Sequence, residues 1–399
     1  MIFIFYILAV TLIYFSYKSF RGGIDYLNYF KRELAKPQSN YTPFATIIAP
    51  CKGLDEGLSE NLAALLQQDY PAYEVIFVVD DKGDPAVEVI EDASRKNAKI
   101  ANMIVAPKAT DSSQKIENLR EAVRHISKKS QVFVFVDSDA RPAQNWLRHL
   151  VAPLADKNIS AATGYRWFIS KNLTFASEMR SIWNASIASA LGANTKTNFC
   201  WGGSMAIRRD TFERLVIREK WHGTLSDDFV VTRSMKAAHL PIYFVPQALT
   251  TTIENCTLQE LLEFTTRQMK ITRVYASKLW LLSFFGSGLF NLVVICSLLI
   301  VSAASGIEFF AAAITLLTVG IFSLAKSTLR LKAVMLVLSD YRAELKHQYW
   351  THNILTFLTP ALFLYNCVAA ALSRTMTWRG VTYKLTAANK TEIVIAAKR

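Results

Sequence analysis

The sequence predicts an α/β domain with a Rossmann-like, mainly parallel sheet, joined to transmembrane helices on its N-terminal and C-terminal sides. Three observations predict it. Between residues 45 and 163, short β-branched runs alternate with longer helical patterns, which is the rhythm of βαβ units. An uncharged, largely apolar run opens the chain from Met1 to Tyr17, and further apolar runs crowd residues 279–372. Aspartates stand where two β-branched runs end, at Asp80-Asp81 and Asp137-Ser138-Asp139, and a third pair follows at Asp227-Asp228.

The opening run lacks a basic leader and a clear small-residue cleavage site, so residues 1–20 read as an uncleaved anchor. At ~1.5 Å rise per residue, a helix of this length only just crosses the hydrocarbon core. Lys18, Arg21, Lys31, Arg32 and Lys36 follow it and place the next domain on the cytosolic face. That domain is expected over residues 40–255. Its strands are read at 45–49, 74–79, 100–105, 131–136 and 159–163, and its helices at 58–68, 85–96, 114–126 and 143–154. Ligands of such sheets bind beyond the carboxyl ends of the strands, where the first two aspartate groups stand. No strand is followed by GxGxxG or GxxxxGK[ST], which argues against a dinucleotide or P-loop ATP site.

Residues 256–278 set Leu258, Leu261, Leu262 and Met269 against Arg267, Lys270, Arg273 and Lys278. This is the pattern of a helix lying at a membrane interface, or of a core-facing helix; the adjoining apolar run favours the interface. Residues 279–373 form the C-terminal transmembrane region, with apolar stretches at 279–307, 309–325 and 354–372. Three crossings conflict with a basic tail, 374–399, on the cytosolic side. Either the apolar patch 333–338 belongs to a crossing, or the stretch holding Pro360 is re-entrant.

The net charge is +13. Its Lys and Arg residues are dispersed and flank apolar runs, which suits a membrane surface or a phosphate-bearing substrate rather than nucleic acid. The five cysteines form no CxxC pair and read as reduced thiols.

Carboxylates two residues apart just past a strand can share one site, so Asp137 and Asp139 suit Mg²⁺ or Mn²⁺ together with substrate phosphates. Asp81 can accept hydrogen bonds from a uracil or ribose, although the following Gly83-Asp84-Pro85 is itself turn chemistry. Adjacent carboxylates repel, which favours a general base at Asp227-Asp228; Asp227 also reads as a helix cap, leaving Asp228 for the acceptor. Lys115, Arg267 and Lys270 can bind phosphate. In the Cys200-Trp201-Gly202-Gly203-Ser204 turn, Gly202 permits close backbone approach and Trp201 offers a ring to a sugar. His222 reads as a hydrogen-bonded structural residue.

These segments together resemble the ceramide glucosyltransferase branch of the inverting, nucleotide-diphospho-sugar glycosyltransferases, almost end to end. Pro50-Cys51-Lys52-Gly53-Leu54-Asp55 resembles the family's opening strand and loop, and Asp69-Tyr70-Pro71 its approach to the second strand. Asp81, Asp137 and Asp228 match its three aspartates; Lys115-Ile116-Glu117-Asn118-Leu119 and Trp378-Arg379-Gly380 with Tyr383 match further segments. The resemblance implies a GT-A fold, a UDP-sugar donor (UDP-glucose in this reading), a metal in the diphosphate site, a lipid acceptor such as ceramide and Asp228 as the base. Arg267 and Lys270 would steady the leaving UDP. The family's (Gln/Arg)-x-x-Arg-Trp motif appears as Arg267-Gln268-Met269-Lys270-Ile271: Lys loses the guanidinium fork and Ile the flat ring. A bacterial inner membrane or a Golgi or ER-type membrane would fit. Two other readings stand beside this one: a processive polysaccharide synthase, which needs a channel and the intact motif, and an inactive nucleotide-sugar binder.

Overall fold

The computed structural model describes residues 2–395. In chain order the elements are α1 (Ile2–Leu34), β1 (Ala45–Pro50), α2 (Leu58–Leu66), β2 (Tyr73–Val79), α3 (Ala86–Arg95), β3 (Ala101–Val105), α4 (Gln114–Ala122), β4 (Val132–Phe135), α5 (Trp146–Val151), β5 (Ala161–Thr163), β6 (Arg166–Ile169) and α6 (Phe175–Ala188). There follow β7 (Met205–Arg208), α7 (Arg209–Arg214), α8 (Ile217–Lys220), α9 (Asp227–Ala237), β8 (Ile242–Phe244), β9 (Thr250–Ile253), α10 (Leu258–Tyr275), α11 (Ser277–Ala303), α12 (Gly306–Met335), α13 (Arg342–Leu355), α14 (Thr359–Leu372), β10 (Thr375–Trp378), β11 (Val381–Ala387) and β12 (Lys390–Ile395). They divide into two compact units. One is helical and takes the residues up to Arg32, Asn172–Ser189 and Asn255–Ser373; the other is α/β and takes Glu33–Lys171, Ala190–Glu254 and the chain from Arg374 onward.

The central sheet of the α/β unit has the order β3-β2-β1-β4-β7-β5-β8. β1 lies parallel to β2 and β4, β2 parallel to β3, and β5 parallel to β8. β7 runs antiparallel to both β4 and β5. The sheet is therefore mixed and mostly parallel, of the GT-A type. Its inner strands are apolar along their length because both faces are covered: Ile47, Ile48, Phe77, Val134 and Phe135 are all buried. β6 and β9 form a separate parallel pair. Each has only four residues, too few for the sequence to show a period.

The five expected strands and four expected helices of this unit are all present, with shifted ends. The helix expected over 143–154 is α helix only from Trp146 to Val151, and continues as a 3-10 turn over Ala152–Ala155. Pro153 in that turn cannot donate to a fourth-back carbonyl. Of the basic tail expected over 374–399, the described residues from Thr375 form an antiparallel meander, β10-β11-β12, and 396–399 lie outside the described residues. Met376, Val381, Tyr383 and Leu385 are buried while Thr377, Lys384 and Thr386 are exposed, the period-two alternation of a sheet with one wet face.

In the helical unit, α1 continues well past the expected anchor. Gly23 lets it pass the α12 backbone and stem at Lys326, where a Cβ would stand 3.3 Å from Lys326 Cγ, and Lys326 Nζ donates to Ser19 Oγ at 2.7 Å. Phe5, Ala9 and Leu12 of α1 pack with Val293 of α11 and with Ala312 and Val319 of α12. These three helices are long and apolar enough to cross a membrane. A fourth candidate is the pair Ser339–Leu355 and Thr359–Leu372, bent by 70° at a break just before Pro360, which lies in the first turn of α14, so this stretch is a broken span or a re-entrant one. α6 falls inside the stretch expected for the α/β domain but folds with the helices. Trp183 on it is fully buried and stacks on Phe363 at 5.0 Å.

Gly164, between β5 and β6, tests the α/β packing. A Cβ there would fall 1.9 Å from Ala248 O and 2.5 Å from Ser204 Oγ. That hydroxyl accepts from Trp146 Nε1 at 2.8 Å and donates to Ala248 O at 3.0 Å, so neither atom is free to move. Gly164→Ala is expected to cost ~1–3 kcal/mol, read as a lowered melting temperature; an unchanged melt would contradict this packing.

Candidate active site

The site residues of the α/β unit come from loops at the carboxyl ends of β1, β2 and β4, from the first turn of α4, from the turn before β7 and from the first turn of α9. Ser113 caps α4, its Oγ accepting from Ile116 N at 3.3 Å. The next residues, Gln114 and Lys115, are thereby held at the helix start.

Lys115 is the centre of the cluster. Its Nζ donates to Asp137 Oδ1 at 2.6 Å and lies 3.1 Å from Asp227 Oδ1. Burial disfavours the ammonium, but Asp137 and Asp227 outweigh it and push the lysine pKa up. Burial likewise works against the Asp137 carboxylate; Lys115 and Arg166 prevail and hold it below the usual range. Asp139 goes the other way: burial raises it, with Asp137 adding to the effect, more than Arg166 lowers it. Asp227 is pushed up to about 6 by burial, against the pull of Lys115 and with the neighbouring Asp228 charge adding to it.

Arg166 on β6 is the second cation. Its Nη1 donates to Asp139 Oδ2 at 3.0 Å, and Nη2 lies 4.0 Å from Asp137 Oδ2. The guanidinium sits over the Trp201 ring, 5.0 Å from its centroid, and Tyr165 packs on the same indole at 5.3 Å. Trp201 is buried among these partners. The glycines after it are needed by close approach: a Cβ on Gly202 would fall 2.2 Å from Asp227 Oδ2, and one on Gly203 2.8 Å from Asp137 Oδ2.

Asp228 is half-buried. Its Oδ1 accepts from the Ser226 hydroxyl and, at 2.7 Å, from Phe229 N; neither bond engages Oδ2. Asp227 turns inward to Lys115 and lies within the first turn of α9, while Ser226 occupies the cap position. Asp81 is more than half exposed; its Oδ1 accepts from Gly83 N at 2.9 Å and its Oδ2 lies 3.3 Å from Lys108. Its neighbour Asp80 is buried and receives Lys52 at 3.1 Å and Lys108 at 3.0 Å. Asp84 fills the turn role, accepting from Gly53 N and Ala86 N, both at 2.9 Å.

Asp137, Asp139, Lys115, Trp201 and Gly202 thus meet in one cluster, with Asp228 beside Asp227 at its edge. Asp81 belongs to the neighbouring strand-end group with Lys52 and Lys108. Arg267 and Lys270 lie on α10 in the helical unit, where Ile271 is buried. The sequence reading missed Arg166 and Lys108. A lone arginine inside a short aromatic run, Tyr165-Arg166-Trp167-Phe168, was the available signal, because a charge in a buried strand must be paired.

The donor set suits a hard divalent cation. Asp139 Oδ1 and Asp227 Oδ2 are buried without a hydrogen-bond partner among the described residues, and a buried unpaired carboxylate oxygen is costly unless something coordinates it. Elsewhere, Asp111, Glu117 and His222 bring ligand atoms within 4.8 Å of one another. Arg120 already occupies that group, 2.7 Å from Glu117 and 3.3 Å from His222 Nδ1.

A mostly parallel sheet with paired carboxylates at its strand ends is a GT-A-type fold; glycosyltransferases of this type typically take nucleotide-sugar donors. The chain belongs to glycosyl transferase family 21, which it matches over residues 3–391. It is 28% identical over 93 residues to a ceramide glucosyltransferase of Komagataella phaffii, a match spanning 23% of this chain and 17% of that protein's length. Among solved structures it is similar to a mannosyltransferase from Pyrobaculum calidifontis in complex with GDP-Man and Mn²⁺, at 18% identity and TM-score 0.47, covering 92% of this chain and 98% of that one. It is also similar to GalNAc-T7 with UDP, GalNAc and Mn²⁺, at 16% identity and TM-score 0.41, covering 54% and 44%.

The bridging lysine carries a direct test. Lys115→Met leaves Asp137 and Asp227 buried without their shared cation, which is expected to cost ~3–5 kcal/mol of stability. Adding Asp227→Asn removes one stranded charge and should return part of the loss. Thermal melts of the single and double variants check this, and a double variant no more stable than the single one would contradict the bridge.

Proposed function

We propose that the protein is an inverting transferase that moves a sugar, glucose in this reading, from a UDP-sugar to the hydroxyl of a membrane lipid such as ceramide, on the cytosolic face of its membrane. The observation that carries this is the strand-end cluster in a family 21 chain: three carboxylates, Asp137, Asp139 and Asp227, are paired with Lys115 and Arg166, and two of their buried oxygens have no hydrogen-bond partner among the described residues. A site with surplus negative charge is built to receive a cation and, with it, a diphosphate. Asp137 and Asp139 would hold Mg²⁺ or Mn²⁺, which when bound supplies positive charge against the departing UDP.

The protein's own groups have separate tasks. Asp81, exposed at the end of β2, meets the uridine. Lys115 and Arg166 keep the carboxylates in register. The Gly202-Gly203 turn gives the donor backbone to lie against, while Trp201, covered by Arg166, acts as the floor beneath that turn. Asp228 takes the proton from the acceptor hydroxyl through the oxygen its local hydrogen bonds leave open, and the alkoxide displaces UDP at the anomeric carbon. Arg267 and Lys270, on α10 of the helical unit, are the residues that the family resemblance assigns to the leaving UDP. A second reading, a lipid acceptor other than ceramide, is favoured by the buried Ile271 where the family motif has Trp.

The test is UDP release by the detergent-purified protein with Mg²⁺ or Mn²⁺, scanning UDP-sugars against ceramide, diacylglycerol and sterol acceptors, with products identified by mass spectrometry. One sugar on one lipid is expected. Asp228→Asn should lower turnover by about 10²–10⁴-fold while UDP still binds. A polymeric product would indicate a synthase. UDP binding without turnover on any pair would indicate a binder.

A further inference from the structure

Three of the contacts between the C-terminal meander and the rest of the α/β unit lead to a site residue. The first is Arg379, whose guanidinium pairs with Asp55 in the loop after β1. Asp55 Oδ2 in turn accepts from Ser138 Oγ at 2.6 Å, the residue between Asp137 and Asp139. Asn61 Nδ2 donates to Ser138 O at 3.1 Å and Arg141 Nε donates to Asn61 Oδ1 at 2.9 Å, so the loop is held from its other side as well. The second is Tyr383, whose hydroxyl accepts from Gln114 N at 3.2 Å, one residue before Lys115. The third is Asn389: a Cβ on Gly223, which has φ +75°, would fall 2.5 Å from Asn389 O. Gly223 lies in the loop leading to Asp227-Asp228.

The hairpin also carries a conformational cost at the residue that makes the first contact. Trp378 pairs with Val381, so Arg379-Gly380 is a two-residue loop. Both residues have positive φ, 50° and 76°. Such a loop favours Asn-Gly, and a long side chain in the left-handed region is disfavoured. An arginine kept there, with its head group on a buried carboxylate, points to a task for the guanidinium rather than for the turn.

We propose that the C-terminal meander is a working part of the donor site, with Arg379 as a positioning residue that fixes the Asp137-Ser138-Asp139 loop through Asp55 and Ser138. The inference rests on the reading of those aspartates as the diphosphate and metal site.

Arg379→Asn separates the two roles, because asparagine suits the turn and removes the guanidinium. The full-length protein in detergent is titrated with Mn²⁺ at fixed UDP, following UDP binding by calorimetry, and its melting temperature is measured without metal. Asparagine relieves the turn while Asp55 loses its counter-charge, so the variant is expected to stay folded yet to need about tenfold more Mn²⁺ for half-maximal UDP binding. Arg379→Lys should recover part of that shift, and Lys384→Ala, on the exposed face of β11, none of it. A wild-type Mn²⁺ midpoint in Arg379→Asn overturns the inference. Should that variant melt lower, Ser138→Ala cuts the same path without touching the hairpin; a midpoint raised alike supports the proposal, and an unchanged one overturns it. Absence of metal-dependent UDP binding in the wild type would instead overturn the donor-site reading, and this inference with it.

Discussion

The α/β unit depends on a charge held where water is largely excluded. Lys115 bridges the carboxylates of Asp137 and Asp227, and the three residues arrive from separate elements: the start of α4, the end of β4 and the start of α9. A buried ion pair contributes little net stability, because desolvation consumes most of the attraction. What it does supply is specificity. Either carboxylate without the lysine would be an uncompensated buried charge, so structures that separate these elements are penalised. The same bridge sets the charge balance of the site. Lysine and arginine together leave one carboxylate in excess, and that excess is what a cationic cofactor would neutralise.

The second constraint is steric. Gly202 and Gly203 lie so close to Asp227 and Asp137 that neither position has room for a Cβ. The Trp201 ring, close against Gly203, is held by Arg166 and Tyr165. Arg166 therefore serves both layers: it pairs with Asp139 and anchors the indole that shapes the glycine turn. Electrostatics and packing are joined in one side chain, and moving it would disturb the carboxylates and the turn together.

Much of this was legible in the sequence for a physical reason. Buried parallel strands must be apolar along their length, so the runs ending at Asp80 and Asp137 announced both the sheet and the edge where ligands bind. Lys115 and the glycine turn were visible as chemistry, though their convergence was not. What escaped was short or remote. β6 and β9 are too brief to show a period, and Arg166 went unread with them. α6 lies in sequence between strands of the sheet, yet nearly every residue on it is buried among helices; one amphipathic stripe would have suited either unit. The tail was read by its charge alone, whereas its alternation of buried and exposed residues made it a sheet. Asp55 and Arg379 stand 324 residues apart, and no local pattern records such a pair.

That separation has a consequence for how the α/β unit is completed. Its chain is discontinuous: Glu33–Lys171 and Ala190–Glu254 come first, and the residues from Arg374 onward come only after the helical stretch Asn255–Ser373. During synthesis the N-terminal parts of a chain fold first, so the segments bearing Asp55, Gln114 and Gly223 exist before the strands that press on them. Until β10 and β11 arrive, Asp55 lacks Arg379, and Ser138 is tied to a carboxylate without its counter-charge. The central sheet needs none of this, since its seven strands all precede residue 245. The sheet is thus complete before the helical stretch, whereas Asp55, the partner of Ser138, takes its counter-charge from a hairpin that follows that stretch.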